Sequence, residues 1–217
     1  MPVTVPTTDV TRLRERQSTD RADLDALLSA TPLATVAFVR GGHPVALPIG
    51  FARIGDEVVI HGSSGSPWLR ELAEGVQAAV SVTTLEGVVL ARSGFESSFH
   101  YRSAVLFGSF TAIAKDRKDD YLRALTDVFI PGRVAEIRPS TNKELAATLV
   151  LAMPIETWSF KASFDWPEDP EDDVAAGGWA GVVPIITGYG TPVPAPDCDP
   201  AIPVPQSVRT MLGSDGG

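Results

Sequence analysis

Between Leu33 and Ile113 the chain falls into short apolar runs cut by glycine-bearing turns. The runs LATVAFVR, HPVALPIGFAR, EVVIHG, VQAAVSVTT, GVVLARS and RSAVLFGSFTAI are rich in Val, Ala, Ile and Phe, with RGGHP, RIGDE and LEG among the turns between them. Runs of this length bounded by turn residues predict strands, six in all. One helix, about Ser66 to Glu74, is inserted among them. The pairing is expected to be antiparallel. A parallel pair needs a crossover of about a dozen residues, and only one gap is long enough. Periodicity alone leaves a barrel and a sandwich both open.

The flanks read differently. STDRADLDALLSATP predicts a short helix with Thr19 as its cap, Asp20 and Asp23 at its positive end, and Pro32 past its last turn. Leu24, Leu27 and Leu28 share one face of it. KDRKDDYLRALTDVFIPG predicts a second helix, with Tyr121, Leu122, Leu125 and Val128 on one side and Pro131-Gly132 ending it. TNKELAATLVLAM starts as a helix around Asn142 and gives way to a strand near Val150, and ETWSFKASF predicts a last strand. After Asp165 the chain turns acidic (DWPEDPEDD), then proline-rich (TPVPAPDCDPAIPVP). The expected organisation is a flexible N-terminal arm over residues 1–18, one domain over 19–164, and a tail over 165–217 that packs on the domain or on a partner subunit.

Charge and cysteine content narrow the function classes. With 18 Lys and Arg against 27 Asp and Glu, the net charge of -9 repels a nucleic-acid backbone, and no basic run offsets it, so nucleic acid is not an expected partner. Cys198 is the one cysteine, which rules out an intrachain disulfide and leaves cysteine-based metal sites short of ligands. The first residues lack the apolar core of a signal peptide, and no run approaches the roughly 18 apolar residues of a membrane helix. A cytoplasmic protein that does not enter the membrane is the expectation.

The stretch IHGSSGSPWLREL, Ile60 to Leu72, concentrates candidate chemistry. A strand ending at His61, a Gly/Ser turn and a helix start aim N–H and hydroxyl donors at one spot. Pro67 fits a first helical turn, and Arg70 stands four residues beyond Ser66, able to swing its guanidinium back toward an anion. A flexible turn that binds nothing is the plainer alternative. It is not a P-loop, since the Gly-Lys-Ser/Thr ending is absent, nor a Gly-x-Ser-x-Gly nucleophile elbow. Trp68 lies within the turn, whereas tryptophans are more often core. In FHYRSAVLFG, Arg102 and Ser103 open a strand beside Tyr101 and His100, where they would meet a phosphate or carboxylate or simply face solvent. The three histidines, His43, His61 and His100, have no helical pair to hold zinc, and His43 reads as a turn residue. The carboxylates of WPEDPEDD read as a solvated face.

Four stretches in order, PVALPIGFARIGDEVVIHGSSGSPWLREL, TLEGVVLARSGFESSFHYRSAVLFG, IPGRVAEIRPSTNKELAATLVLAMPIETWSFK and GWAGVVPI, resemble the flavin-binding split-barrel proteins related to pyridoxamine 5'-phosphate oxidase. The similarity is greatest to the branch that contains the nitroimidazole-resistance proteins. The resemblance implies a mostly β (α+β) fold, a six-stranded antiparallel split barrel with a few flanking helices. It also implies a homodimer with FMN at the subunit interface. Backbone groups of Ala46, Leu47, Pro48 and Ile49 would then run along the isoalloxazine. His61, Gly62, Ser63 and Ser66, with Trp68 and Arg70, would surround the phosphate. Tyr101, Arg102 and Ser103 would add flavin contacts. A dianionic phosphate needs donors and a cation, and a flavin ring needs an apolar wall with backbone hydrogen bonds, so the residue types suit the roles.

Three departures from the family pattern stand out. Pro67 takes the place of an arginine common in relatives, so Arg70 or Arg102 must supply the cation. Lys161 has no neighbouring arginine. The C-terminal Arg-x-His and Gln-Arg signatures of true pyridoxamine phosphate oxidases are missing, which argues against vitamin B6 oxidation. The reading is therefore an FMN-dependent oxidoreductase acting on a small-molecule substrate, with His100 as candidate proton donor. The alternative is a haem- or flavin-binding carrier or sensor without turnover.

Overall fold

The computed structural model describes residues 7–213. Gln17–Ser18 forms a two-residue strand, β1, and Arg21–Ala30 the first helix, α1. Strands β2 (Leu33–Arg40), β3 (His43–Ile54) and β4 (Glu57–Ser63) lead into helix α2 (Pro67–Ala73). Then come β5 (Gln77–Leu90), β6 (Ser98–Ser109) and β7 (Thr111–Ala112), followed by α3 (Lys118–Phe129) and α4 (Asn142–Ala147). Strands β8 (Thr148–Pro154) and β9 (Thr157–Ser163) complete the domain, and the tail adds α5 (Glu171–Ala176), β10 (Gly181–Pro184) and α6 (Gln206–Met211).

The class is as expected, a mostly antiparallel sheet with a few helices, but the strand count differs. Ten strands join in the order β1-β9-β6-β5-β2-β3-β4-β8-β7, with β10 added to β5, and the path is open. It curls until Gly108 of β6 lies against Met153 of β8, about 3.1 Å from where a Cβ would sit. No hydrogen-bonded ladder joins β6 to β8 among the described residues.

The extra strands come from the ends of the chain. Gln17 and Ser18, expected in the loose arm, pair with Lys161 and Phe160. In the tail, β10 pairs with Gly87–Leu90 of β5. The expected LEG turn is not a turn. VQAAVSVTT and GVVLARS form one strand, and Glu86 is a bulge where the register against β6 shifts.

Alternation explains the packing. On β3 and β4, Phe51, Val58 and Ile60 enter an inner core with Leu24, Leu27 and Leu28 of α1, plus Val36, Leu72, Val80, Leu106 and Phe160. Ala52 and Val59, one residue out of phase, enter a second core with Leu125, Val150 and Ala152 under α3. A strand buried on both faces needs an unbroken apolar run, which is why EVVI carries no polar residue after Glu57. Two expectations fail in detail. Asp20, not Thr19, caps α1, its Oδ1 accepting the Ala22 N–H at 2.9 Å. On α3, Phe129 packs with Tyr121 and Leu122, while Val128 is 48% exposed. Phe129 falls four residues after Leu125, closer to its face than Val128 at three.

Candidate functional site

Strand β3 changes partner halfway along. Residues 43–50 pair with β2, while only Phe51–Ile54 pair with β4. Beyond Ile60, β4 keeps its ladder with β8 alone, through His61, Gly62 and Ser63. The two halves of the sheet therefore part at Gly50 and His61. That split leaves Ala46–Ile49 with one strand edge unpaired on the side toward β4, among the described residues. Side chains on this stretch alternate: Leu47 and Ile49 pack on the inner core, while Ala46 and Pro48 face outward and are exposed. Small exposed side chains beside free backbone groups make a flat wall on which a planar ring can lie.

The turn after β4 is more occupied than its sequence suggests. Ser64 N–H donates to the Ala147 carbonyl at 2.8 Å, and Ser66 N–H to the Ser63 carbonyl at 2.9 Å. Gly65 N–H donates to the Ser63 hydroxyl at 3.1 Å. Two of these N–H donors are thus spent within the turn and the third on the last residue of α4, while the Ser63 hydroxyl is used only as an acceptor. Gly62 serves packing, since a Cβ there would stand 2.6 Å from Leu69 Cδ1. Trp68, half-buried, packs against the inner core. Among the described residues, the Ser66 hydroxyl, which makes no capping bond, the Ser63 and Ser64 hydroxyls as donors, and Arg70 remain. Arg70 Nε donates to the Ser64 carbonyl at 2.6 Å, which holds the guanidinium over the turn while both Nη groups stay free of partners among the described residues.

His61 is half-buried, and its Nδ1 is sealed from solvent with no hydrogen-bond partner among the described residues. Burial lowers its pKa below the ordinary 6.5, so the ring is held neutral. His100 is engaged: its Nε2–H donates to the Asp165 carbonyl at 2.9 Å, and its ring tilts against Phe164 at 5.5 Å.

Tyr101, Arg102 and Ser103 do not converge. Buried Ala104 and Leu106 set the inner face of β6, so Arg102 points inward and its two neighbours outward. Arg102 is no free cation. Its Nε and Nη2 lie 2.8 and 2.6 Å from Glu86 Oε1, which also accepts from Thr84 Oγ1 at 2.8 Å. The Thr84 hydroxyl, then Arg102, hold the Glu86 carboxyl below its ordinary pKa of 4.5. Sequence reading missed Glu86 because LEG reads as a turn; an acidic residue at a bulge opposite an arginine was the available signal. Among the described residues no cluster of three His, Cys, Asp or Glu could hold a metal, and no helix is long and apolar enough to cross a membrane.

Residues 20–162 match the family described as pyridoxamine 5'-phosphate oxidase. A search of curated proteins returned no match. Among solved structures, a FAD and haem binding protein from Mycobacterium smegmatis is 66% identical, with a TM-score of 0.90, over 91% of this chain and 97% of that one. A flavocytochrome from Azotobacter vinelandii is 35% identical, with a TM-score of 0.88, over 94% and 95%. A candidate 5-nitroimidazole antibiotic resistance protein from Bacteroides thetaiotaomicron shares the fold at 14% identity and a TM-score of 0.57, over 67% and 85%.

Proposed function

This chain belongs to the pyridoxamine 5'-phosphate oxidase family, and on that premise we propose that it is a flavin-binding redox protein acting on a small molecule. The observation that carries the reading is the 66% identity, across 91% of the chain, to a protein that binds FAD and haem. That relative favours FAD over the FMN expected from sequence, and its haem together with the flavocytochrome makes haem a second cofactor to test.

The residues fit a flavin in three places. Arg70 and the Ser66 hydroxyl offer a cation and a donor to a phosphate. The unpaired edge of Ala46–Ile49 offers backbone groups to the polar rim of a ring. Tyr101 and Ser103 lie on the outward face of the sheet, with Ala46 and Pro48. A bound flavin would supply the electron transfer. The protein's part is to fix its orientation and keep water from it. The same outward face carries exposed Leu33 (58%) and Val39 (61%), apolar surface that a second copy would cover. A homodimer closing the site is thus part of the proposal, checked by light scattering after gel filtration.

His61 is the candidate haem ligand because, unlike His100, its ring makes no hydrogen bond among the described residues; Nδ1 is enclosed by protein, which leaves Nε2 as the nitrogen that would meet iron. The test is a spectrum of the purified protein, followed by titration with FAD, FMN and haem. Flavin bands retained or restored by FAD support the reading. A preparation that binds neither flavin overturns it. A Soret band on haem addition that vanishes in His61→Ala supports the haem assignment, and its loss only in His43→Ala or His100→Ala overturns His61 as the ligand.

A further inference from the structure

The Arg102–Glu86 pair lines a cavity of about 530 Å³ that no flavin role above uses. Its floor is the bulge of β5, its side the loop after α1 with Thr31 and Pro32, and its outer wall the tail segment from Ile185 to Tyr189. The tail is stitched to the bulge, since Ile185 N–H donates to the Glu86 carbonyl at 2.9 Å. A few hundred cubic ångströms is the size of a small-molecule site.

The polar groups in it are already half-satisfied, and what they leave over is specific. All the hydrogen bonds to the Glu86 carboxylate fall on Oε1. Oε2 is an open acceptor and Arg102 Nη1 an open donor, among the described residues. A phosphate or carboxylate ligand would find Arg102 neutralised and Glu86 repelling it; a cation would meet Arg102. A neutral group that accepts from one and donates to the other satisfies both. The apolar part of the lining, Pro32, Leu85, Ile185 and the Tyr189 ring, suits a flat body.

We propose that this cavity binds an uncharged planar ring with an amide edge, its carbonyl taking the Arg102 Nη1–H and its N–H donating to Glu86 Oε2. That edge occurs on a ring carboxamide and on a ring lactam. A flavin ring also carries a lactam edge, so the probes are added to protein saturated with FAD, where a bound probe reports a site apart from the flavin.

The test is calorimetric titration of the full chain, saturated with FAD, using nicotinamide as the carboxamide, uracil as the lactam, and nicotinate as an isosteric control. At least one amide probe should bind in the millimolar range, and nicotinate at least about tenfold more weakly than nicotinamide. Binding by nicotinamide alone identifies a carboxamide site, and by uracil alone a lactam site; each supports the proposal. Glu86→Gln should narrow the gap between nicotinamide and nicotinate. Thr187→Trp, on the exposed tail, fills the cavity without touching the core and should abolish binding. Failure of both amide probes, equal binding of nicotinamide and nicotinate, or unchanged binding in Thr187→Trp overturns it.

Discussion

Arg70 reaches back over the turn that precedes its own helix and places Nε 2.6 Å from the carbonyl oxygen of Ser64. The contact answers which arginine stands at this turn. It fixes the guanidinium over a turn whose Ser64, Gly65 and Ser66 N–H groups are already bonded, so affinity for a phosphate falls to Arg70 and the serine hydroxyls. Arg70→Ala should weaken flavin binding by about tenfold or more, the worth of one hydrogen bond from a charged donor. Arg70→Lys, which keeps the charge and loses the fork, should fall between. Fluorescence titration measures both, and wild-type affinity in Arg70→Ala would remove it from the site.

Arg102 is expected to behave oppositely. Paired with Glu86, it should matter to stability and not to the phosphate. Arg102→Ala should lower stability by about 1 kcal/mol, a modest figure because both side chains keep some solvent contact, and change flavin affinity less than about twofold. The pair's contribution is complete above the ordinary Glu86 value of 4.5 and is lost as pH falls through the lower value of the folded state. Acid unfolding of the variant should therefore be flatter than wild type at the acid end. A tenfold loss of flavin affinity would return Arg102 to the phosphate.

His61 makes a separate pH prediction. Its folded pKa lies below 6.5, so the unfolded chain binds a proton first as pH drops. Stability should decline as pH falls from 6.5 toward the folded value, and be constant above that window as far as this group is concerned. His61→Gln should remove that part of the slope in denaturant melts at pH 5 to 7.5, roughly the range in which histidine titrates. An unchanged slope would mean the ring is not held neutral.

Gly62 sits where a phosphate-binding glycine would be sought, yet a Cβ there would meet Leu69, itself buried and only 2% exposed. Gly62→Ala should cost about 1–3 kcal/mol through overpacking of the core. Thermal unfolding reads this directly. An unchanged melting temperature together with lost flavin binding would make the glycine a ligand-approach residue instead.

The strands most legible in sequence were those with one strict face: LATVAFVR, and EVVI with its unbroken apolar run, appear as β2 and β4 where periodicity put them. The LEG segment was misread because a bulge and a turn share their residues, and only the pairing with β6 tells them apart. Phe129 was missed for Val128 because both fall near the helix face, and the second core chose between them.

At the site, the sequence determined the donors present: the Gly/Ser turn, Arg70, the small outward residues of β3 and the three histidines. Tertiary structure decided which are free. A hydrogen bond within the turn, a Leu69 methyl beneath Gly62 and a carboxylate from a neighbouring strand each consume a group that reads as available along the chain. The physical reason is that residue type fixes what a side chain can donate or accept, whereas contacts distant in sequence fix what it has left to give.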